Sequence, residues 1–317
     1  MAVKEFDTIV VGELNVDLIF NKIESLPDIG KEVLAKEMYL TLGSSSAIFA
    51  NNLSILGSKV SFVGKVGYDS YSAMVTSSLK RGGVHIENII KSSGEYTGIT
   101  VAFNFNNDRM MVTYPGAMST FKRNEISNDV LSKARHMHLS SVFLQPGLKP
   151  GLVDLFKSAK SMGLTTSLDP QWDPAEKWDI DLRTLLPYVD IFLPNKVEIM
   201  SLASVSSIKS AIEHVRSFSN VVVVKDGTNG AVMWDKTKVI EKPARINDRV
   251  VDSIGAGDSF NAGFINSFLK RKSLEDCLDI ATVTGAINTT AAGGTGAFTT
   301  LEKVKEIAKQ RFNYRIE

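Results

Sequence analysis

Val250-Val251-Asp252-Ser253-Ile254-Gly255-Ala256-Gly257-Asp258-Ser259-Phe260 is the most informative stretch of the 317-residue chain. Downstream of it Phe260, Phe264 and Phe268 recur at every fourth position, with Ile265 and Leu269 beside them. That spacing predicts a helix beginning near Asp258. Gly255-Ala256-Gly257 then forms a loop almost without side chains directly ahead of a helix N-terminus. Free backbone N–H groups and the positive end of the helix dipole make such a place a cradle for anionic oxygens. Asp258, set beside it, can accept a proton from a nearby hydroxyl. The same four residues also fit a plain tight turn with an aspartate N-cap. The tetrapeptide alone leaves both readings open.

Upstream, Thr8-Ile9-Val10-Val11-Gly12 reads as a buried strand ending in glycine, and further β-branched runs lie at 60–62, 164–168, 191–193 and 221–224. Helical spacing fills residues 47–56, 71–81, 151–162 and 208–218 between them. This alternation predicts an α/β fold with a mostly parallel sheet covered on both faces. Two segments break the rhythm. Residues 16–42 contain strand-like pieces around a Pro-Asp-Ile-Gly turn at 27–30, and residues 99–105 and 110–114 form a hairpin through Asn106-Asn107-Asp108. Both leave the α/β core and return to it, so they are read as one small β-sheet. The expected division is residues 1–13, 43–95 and 119–317 in the main domain, with 14–42 and 96–118 as a lid.

The predicted strands end on polar residues: Glu13, Asn15 and Asp17 after the first, Asp169 after 164–168, Asn195 after 191–193, and Lys225-Asp226-Gly227 after 221–224. Ligands of open α/β sheets bind beyond the carboxyl ends of the strands. One such residue means little; four groups of them make a coherent crevice.

Composition removes other classes. Lys+Arg and Asp+Glu number 36 and 35, so no basic excess points to nucleic acid or a membrane surface as partner. Cys277 is the only cysteine, which rules out an intrachain disulfide and suits a reducing cytosol. Glu13, Asn15 and Asp17 interrupt the apolar stretch at 9–20, and no segment reaches the ~20 apolar residues of a membrane span. The expectation is a soluble, cytoplasmic protein.

With these features in place, a family resemblance emerges. Asp252-Ser253-Ile254-Gly255-Ala256-Gly257-Asp258-Ser259-Phe260-Asn261-Ala262-Gly263 closely resembles the C-terminal signature of the ribokinase-like (PfkB-type) carbohydrate kinases, D-T-x-G-A-G-D-x-F-x-x-G. The stretch from Gly43 to Leu53-Ser54-Ile55-Leu56-Gly57 is similar to their N-terminal signature. Asn195-Lys196-Val197-Glu198 resembles their N-x-x-E motif, and Lys225-Asp226-Gly227-Thr228-Asn229-Gly230 their glycine turn near the nucleotide. All four occur in the family's order and span nearly the whole chain.

The resemblance implies a three-layer α/β/α domain with a β-lid, and ATP-dependent phosphorylation of a hydroxyl of a small neutral sugar of ribose or fructose type. It assigns Asp258 as base and Gly255, Ala256 and Gly257 as the anion hole. Asn195 and Glu198 would act near the phosphates, with Glu198 ordering Mg²⁺ through water. Lys225, Gly227 and Gly230 would line the nucleotide, and Asn15, Asp17 and Gly43 would hold the sugar. Asp252 stands where many relatives bind a monovalent cation, which admits K⁺ as an activator. The lid often forms a dimer contact in this family, which admits a homodimer.

Two positions depart from the pattern. Ser44 and Ile48 replace the second glycine and the asparagine of the N-terminal signature, where the asparagine commonly touches the sugar. Asp169-Pro170-Gln171-Trp172-Asp173 falls where sugar-acid and fructose kinases carry D-x-N-x-R, so Asp173 replaces an arginine and argues against acidic sugars.

A nucleoside kinase of adenosine or pseudouridine type is the nearby alternative, because the altered Ser44/Ile48 region could make room for a base. A nicotinamide-dependent dehydrogenase would need Gly-x-Gly-x-x-Gly after the first strand, which Val11-Gly12-Glu13-Leu14-Asn15 does not supply. A sugar sensor would have no use for a base at 258. His136 and His138 share a strand face but lack a cysteine or carboxylate cluster that would make a metal site. Phe103 and Phe105 share a hairpin face suited to packing within the lid or a dimer contact. Trp172 and Trp178 are expected around the loop after Asp169.

Overall fold

The computed structural model describes residues 4–25, 27–105 and 108–316. Strand β1 (Phe6–Val11) is followed by β2 (Asn15–Ile23) and β3 (Ala35–Leu42), then α1 (Ser45–Ile55), β4 (Val60–Val66), α2 (Ser70–Arg81) and β5 (Ile89–Lys91). The hairpin β6 (Gly98–Phe105) and β7 (Asp108–Tyr114) precedes α3 (Asn128–Ser132), β8 (Ala134–Ser140), α4 (Leu152–Ser161) and β9 (Thr165–Asp169). Next come α5 (Leu182–Leu185), β10 (Ile191–Phe192), α6 (Lys196–Ala203), α7 (Ile208–Val215) and β11 (Val221–Lys225). Strands β12 (Ala231–Trp234) and β13 (Val239–Lys242) and helices α8 (Ala256–Leu269), α9 (Leu274–Asn288) and α10 (Leu301–Phe312) complete the chain.

The main sheet has nine strands in the order β13-β12-β11-β10-β9-β8-β1-β4-β5, parallel from β11 to β5 and antiparallel at the β12 and β13 edge. The alternating pleat of β1 sends Val10 to one face and Ile9 and Val11 to the other. On the Val10 face pack Phe49 and Leu53 of α1, Phe264 of α8 and Leu278 of α9. On the opposite face pack Leu155 and Phe156 of α4, Ile199 of α6 and Ile212 of α7. This is the three-layer α/β/α arrangement, and each fully buried side chain of this size contributes about 1.5–3 kcal/mol.

The chain moves outward from β1 to β4 and β5 on one side, and from β8 through β11 on the other. The strand order therefore reverses between β1 and β8, and the crevice at their carboxyl ends is where such sheets bind ligands.

The small sheet has the order β3-β2-β6-β7. Its register places Asp17, Thr41, Thr100 and Thr113 side by side on one face, followed by Ile19, Tyr39, Ala102 and Met111. The opposite face carries Leu40, Leu18, Val101 and Val112 in one row and Met38, Phe20, Phe103 and Met110 in the next. Phe20 and Phe103 stack there with centroids 5.7 Å apart, as expected for a packing role of Phe103. The side chain of Phe105 and residues 106 and 107 of the hairpin turn lie outside the described residues.

The helix predicted near Asp258 begins two residues earlier, at Ala256, with Gly255 as its N-cap in the left-handed region at φ 76°. Asp258 is thus in the first turn and not the cap, so the plain N-cap reading of it fails. Strands β5, β12 and β13 and helices α9 and α10 were not among the elements expected from sequence. Among the described residues no helix is long and apolar enough to cross a membrane.

Candidate active site

A cleft of about 1160 Å³ opens where the strand order reverses and runs between the lid and the N-terminus of α8. Asn15, Asp17, Asn195, Glu198, Lys225, Gly227, Gly230, Gly255, Ala256, Gly257 and Asp258 all line it. Residues expected at one edge of the sheet thus meet in one space.

Asp258 is buried, with 5 % of its surface exposed. Gln171 Nε2 donates to its Oδ1 at 3.1 Å and to Asp169 Oδ2 at 3.0 Å. Burial raises the Asp258 pKa well above the ordinary carboxylate range, and Asp169 and Glu13 push the same way while Lys225 opposes them. A raised pKa makes a stronger base for a hydroxyl proton. Of the amides beside it, Ala256 N–H turns back to Ser253 O at 3.3 Å, which corrects the expectation of three open donors. For the N–H groups of Gly255 and Gly257 no acceptor occurs among the described residues.

Asp169, at the end of β9, is fully buried and gathers the site. Lys225 Nζ donates to its Oδ2 at 2.6 Å, and Asn261 of α8 donates to the same oxygen. Burial pulls the Lys225 ammonium down, but Asp169, Glu198 and Asp258 more than offset this and leave its pKa above the ordinary value. A Cβ added to Gly257 would stand 3.7 Å from Lys225 Nζ, so the cation lies beside the glycine loop.

Asn195 caps α6 and forms a reciprocal pair with Glu198: Glu198 N donates to Asn195 Oδ1 at 2.9 Å and Asn195 N to Glu198 Oε2 at 2.8 Å. Burial, then the charge of Asp169, raises the Glu198 pKa to about 8 against the pull of Lys225. Both Gly227 and Gly230 take positive φ, 56° and 102°, and a Cβ on Gly230 would meet Lys242 O at 2.0 Å.

At the lid end Asn15 Nδ2 donates to Asp17 Oδ1 at 2.9 Å and to Thr100 Oγ1 at 3.1 Å, and Thr100 meets Thr113 at 3.0 Å. Gly43 does not line the cleft; a Cβ there would fall 2.2 Å from Asp17 Oδ1, so it makes room for the residues that do. Ser44 accepts a φ of 69°, a region that glycine enters freely. Its hydroxyl compensates by donating to Glu13 O at 2.6 Å and accepting from Ala47 N at 2.9 Å. Ile48 joins Ile19, Ala102 and Ile254 in an apolar panel, and three of the four line the cleft.

Asp252 is outside the cleft lining; its Oδ1 accepts from Ile254 N at 3.0 Å and its Oδ2 from Gly293 N at 2.9 Å. Asp173 is also turned away. Its carboxylate accepts the N–H groups of Ala175, Lys177 and Trp178 at 2.9, 2.9 and 2.7 Å, so it presents no anion to a substrate. Trp172 and Trp178 pack edge to face in that loop, 5.2 Å apart. His136 and His138 are core residues whose ring nitrogens pair with Thr165, Ser167 and Ser140 at 2.7–2.9 Å. Burial drops His136 to about 3 and His138 well below its ordinary value.

From sequence, Asp169 and Glu13 stand only as strand ends, and Gln171 and Asn261 carry no role. Their common signal is polar character inside or beside the quoted motifs. Glu13 is buried, accepts Ser46 N at 3.1 Å and has its pKa raised by burial.

Comparison with known proteins agrees with this architecture. The pattern described as pfkB family carbohydrate kinase matches residues 6–301. An uncharacterized sugar kinase of Archaeoglobus fulgidus is 32 % identical over 233 residues, 71 % of this chain and 89 % of its own length. A nucleoside kinase of Methanothermobacter thermautotrophicus is 28 % identical, covering 86 % of this chain and 85 % of its own. The structure of Arabidopsis thaliana ribokinase with ribose and ATP superposes with a TM-score of 0.80 at 23 % identity, covering 94 % of this chain and 98 % of that one.

Proposed function

The chain belongs to the pfkB family of carbohydrate kinases, and on that basis we propose that it transfers the γ-phosphoryl group of ATP to a hydroxyl of a small neutral sugar. The observation that carries this reading is Asp258, a buried carboxylate of raised pKa, lining one cleft with the N–H groups of Gly255 and Gly257 and the ammonium of Lys225.

The acceptor oxygen attacks the γ-phosphorus as the bond to the β-phosphate oxygen breaks, and Asp258 takes the acceptor's proton. Gly255 and Gly257 N–H groups face the charge that develops on the phosphoryl oxygens, and Lys225 adds a fixed positive charge beside them. Asn15, Asp17 and Thr100 hold the sugar hydroxyls, with Gly43 keeping Asp17 in reach. Gly227 and Gly230 line the nucleotide. Closure of the lid formed by 14–42 and 96–118 keeps water from competing as nucleophile.

Magnesium fits the donor set. Among the described residues no three His, Cys, Asp or Glu side chains gather into a cage, and Mg²⁺ in such sites is held by one or two carboxylates, waters and phosphates. Glu198, with Asn195 beside it, is the residue that would hold the ion through water; the ion would neutralise phosphate charge. Asp252 enters as a loop-holding group. A cytosolic setting suits an ATP user with one buried thiol.

A nucleoside is the second reading, favoured by the panel of Ile48, Ala102 and Ile254, which offers no partner to a hydroxyl and a dry wall to a base. The lid's other face supports a homodimer: Met38, Leu40, Met110 and Val112 are 59, 41, 45 and 68 % exposed in continuous rows across four strands. A second copy meets these apolar rows with the same ones.

The test is ADP release from ATP and Mg²⁺ with ribose, fructose, adenosine and pseudouridine in turn. At least one acceptor should raise ADP formation about a hundredfold or more over the acceptor-free rate. Equal ADP formation with and without every acceptor would sink the reading.

A further inference from the structure

Three fully buried polar residues from three helices meet beneath the glycine loop: Asn52 of α1, Ser259 of α8 and Asn288 of α9. Asn52 Nδ2 donates to Ser259 Oγ at 2.8 Å and to Gly294 O at 2.9 Å. Ser259 Oγ in turn donates to Asn288 Oδ1 at 2.8 Å. The order is directional. With the Asn288 oxygen occupied by the serine proton, its nitrogen faces Ile254 O and donates to it.

Ile254 C=O and Gly255 N–H belong to one peptide group. A donor on that carbonyl draws electron density away from the nitrogen and strengthens the N–H as a donor to an anion. It also fixes the peptide plane, and in a trans peptide the N–H then points the opposite way. Gly255 is at positive φ and lines the cleft. The second carbonyl of the network, Gly294 O, belongs to a loop so close that a Cβ on Gly255 would meet Gly294 Cα at 2.5 Å.

The family admits a monovalent cation at Asp252, and the residues here do not fit one. Both carboxylate oxygens accept backbone N–H groups, and the neighbouring carbonyls of Ile254 and Gly294 each receive an asparagine N–H, so a cation here would compete with four internal hydrogen bonds for the same oxygens.

Resting on the kinase reading, we infer that Asn288, oriented by Ser259 and Asn52, polarises and aims the Ile254–Gly255 peptide of the anion hole by internal hydrogen bonds, and that this chain works without a monovalent cation. The three are positioning residues, since none of them lines the cleft.

The experiment moves the full chain into tetramethylammonium chloride and replaces that salt with KCl, NaCl or NH₄Cl at fixed ionic strength. Melting temperature is read without substrate, and kcat with ATP, Mg²⁺ and the best acceptor. The melting temperature should move by less than about 1 °C and kcat by less than about twofold. A K⁺-specific rise of several degrees, or a stimulation of about fivefold or more, overturns the inference. Should no acceptor be turned over in any salt, the kinase reading fails while the melting arm still decides the cation question.

Ser259→Ala breaks the relay and Ser259→Thr keeps its hydroxyl. The alanine variant should lose about tenfold or more in kcat with the KM for ATP within about threefold, and the threonine variant should recover most of it. Loss that follows only the fraction folded, or an alanine variant with full kcat, overturns the positioning role.

Discussion

Gln171 donates one side-chain hydrogen bond of 3.1 Å to Asp258, the carboxylate placed here as the base. The same nitrogen donates to Asp169 at 3.0 Å, so a single amide spaces two buried acids that repel each other. Gln171 adopts φ 60°, a left-handed conformation that costs of order 1 kcal/mol or more in a non-glycine residue. The tie to both carboxylates is what the backbone strain secures.

Replacing Gln171 with alanine should therefore lower kcat about tenfold to a hundredfold while changing the KM for ATP little. Gln171→Glu should be worse, because it adds a third acid and removes the donor. Steady-state kinetics of both variants provide the check, and an alanine variant with unchanged kcat would remove the positioning role.

Glu198 sets a pH dependence in the ligand-free protein. Its folded pKa of about 8 lies above the ordinary 4.5, so the native state binds the extra proton and loses stability as pH rises through that window. Glu13 and Asp258, also shifted upward, act in the same direction. Relative to the parent, Glu198→Gln should gain roughly 2 °C in melting temperature for each pH unit from 5 to 8. Any weakening of the reciprocal pair with Asn195 appears as a constant offset, and the slope reads the titration. A flat difference would contradict the burial argument.

Gly43→Ala would drive a methyl group to 2.2 Å from Asp17 Oδ1 and 2.6 Å from Asn15 Nδ2. The acceptor KM should rise about tenfold or more, with ATP binding within about threefold of the parent. Calorimetric titration of each ligand separates the two effects.

The apolar face of the lid predicts a particle of twice the 34.6 kDa chain mass in light scattering. Leu40→Glu together with Val112→Glu should produce the single-chain mass, because a charge buried at such a contact is unfavourable. A parent protein of single-chain mass at all concentrations would count against the dimer.

Much of this was legible in the chain because it depends on local chemistry. The glycine loop and the phenylalanine spacing after it announce α8, and β-branched runs ending on Asp169, Asn195 and Lys225 announce the crevice. What escaped depends on contacts distant in sequence. Lys225, Asn261 and Gln171 converge on Asp169 only once β9, β11 and α8 are side by side. Asp173 reads as an anion facing a substrate until its carboxylate is seen to cap the N–H groups of Ala175, Lys177 and Trp178. Helix α9 is buried around most of its circumference, from Cys277 and Leu278 through Thr284 to Asn288, so no polar stripe marks it as a helix. The histidines of β8 share a strand face in sequence without a metal-site cluster, and only the sheet register brings Ser167 between them.

The most direct measurement is turnover and binding by Asp258→Asn, which keeps the size of the side chain and removes its basicity. The expected result is a kcat lower by about a thousandfold or more, with the dissociation constants for ATP and acceptor within about threefold of the parent. Retention of more than about a few per cent of parental kcat would contradict Asp258 as the base.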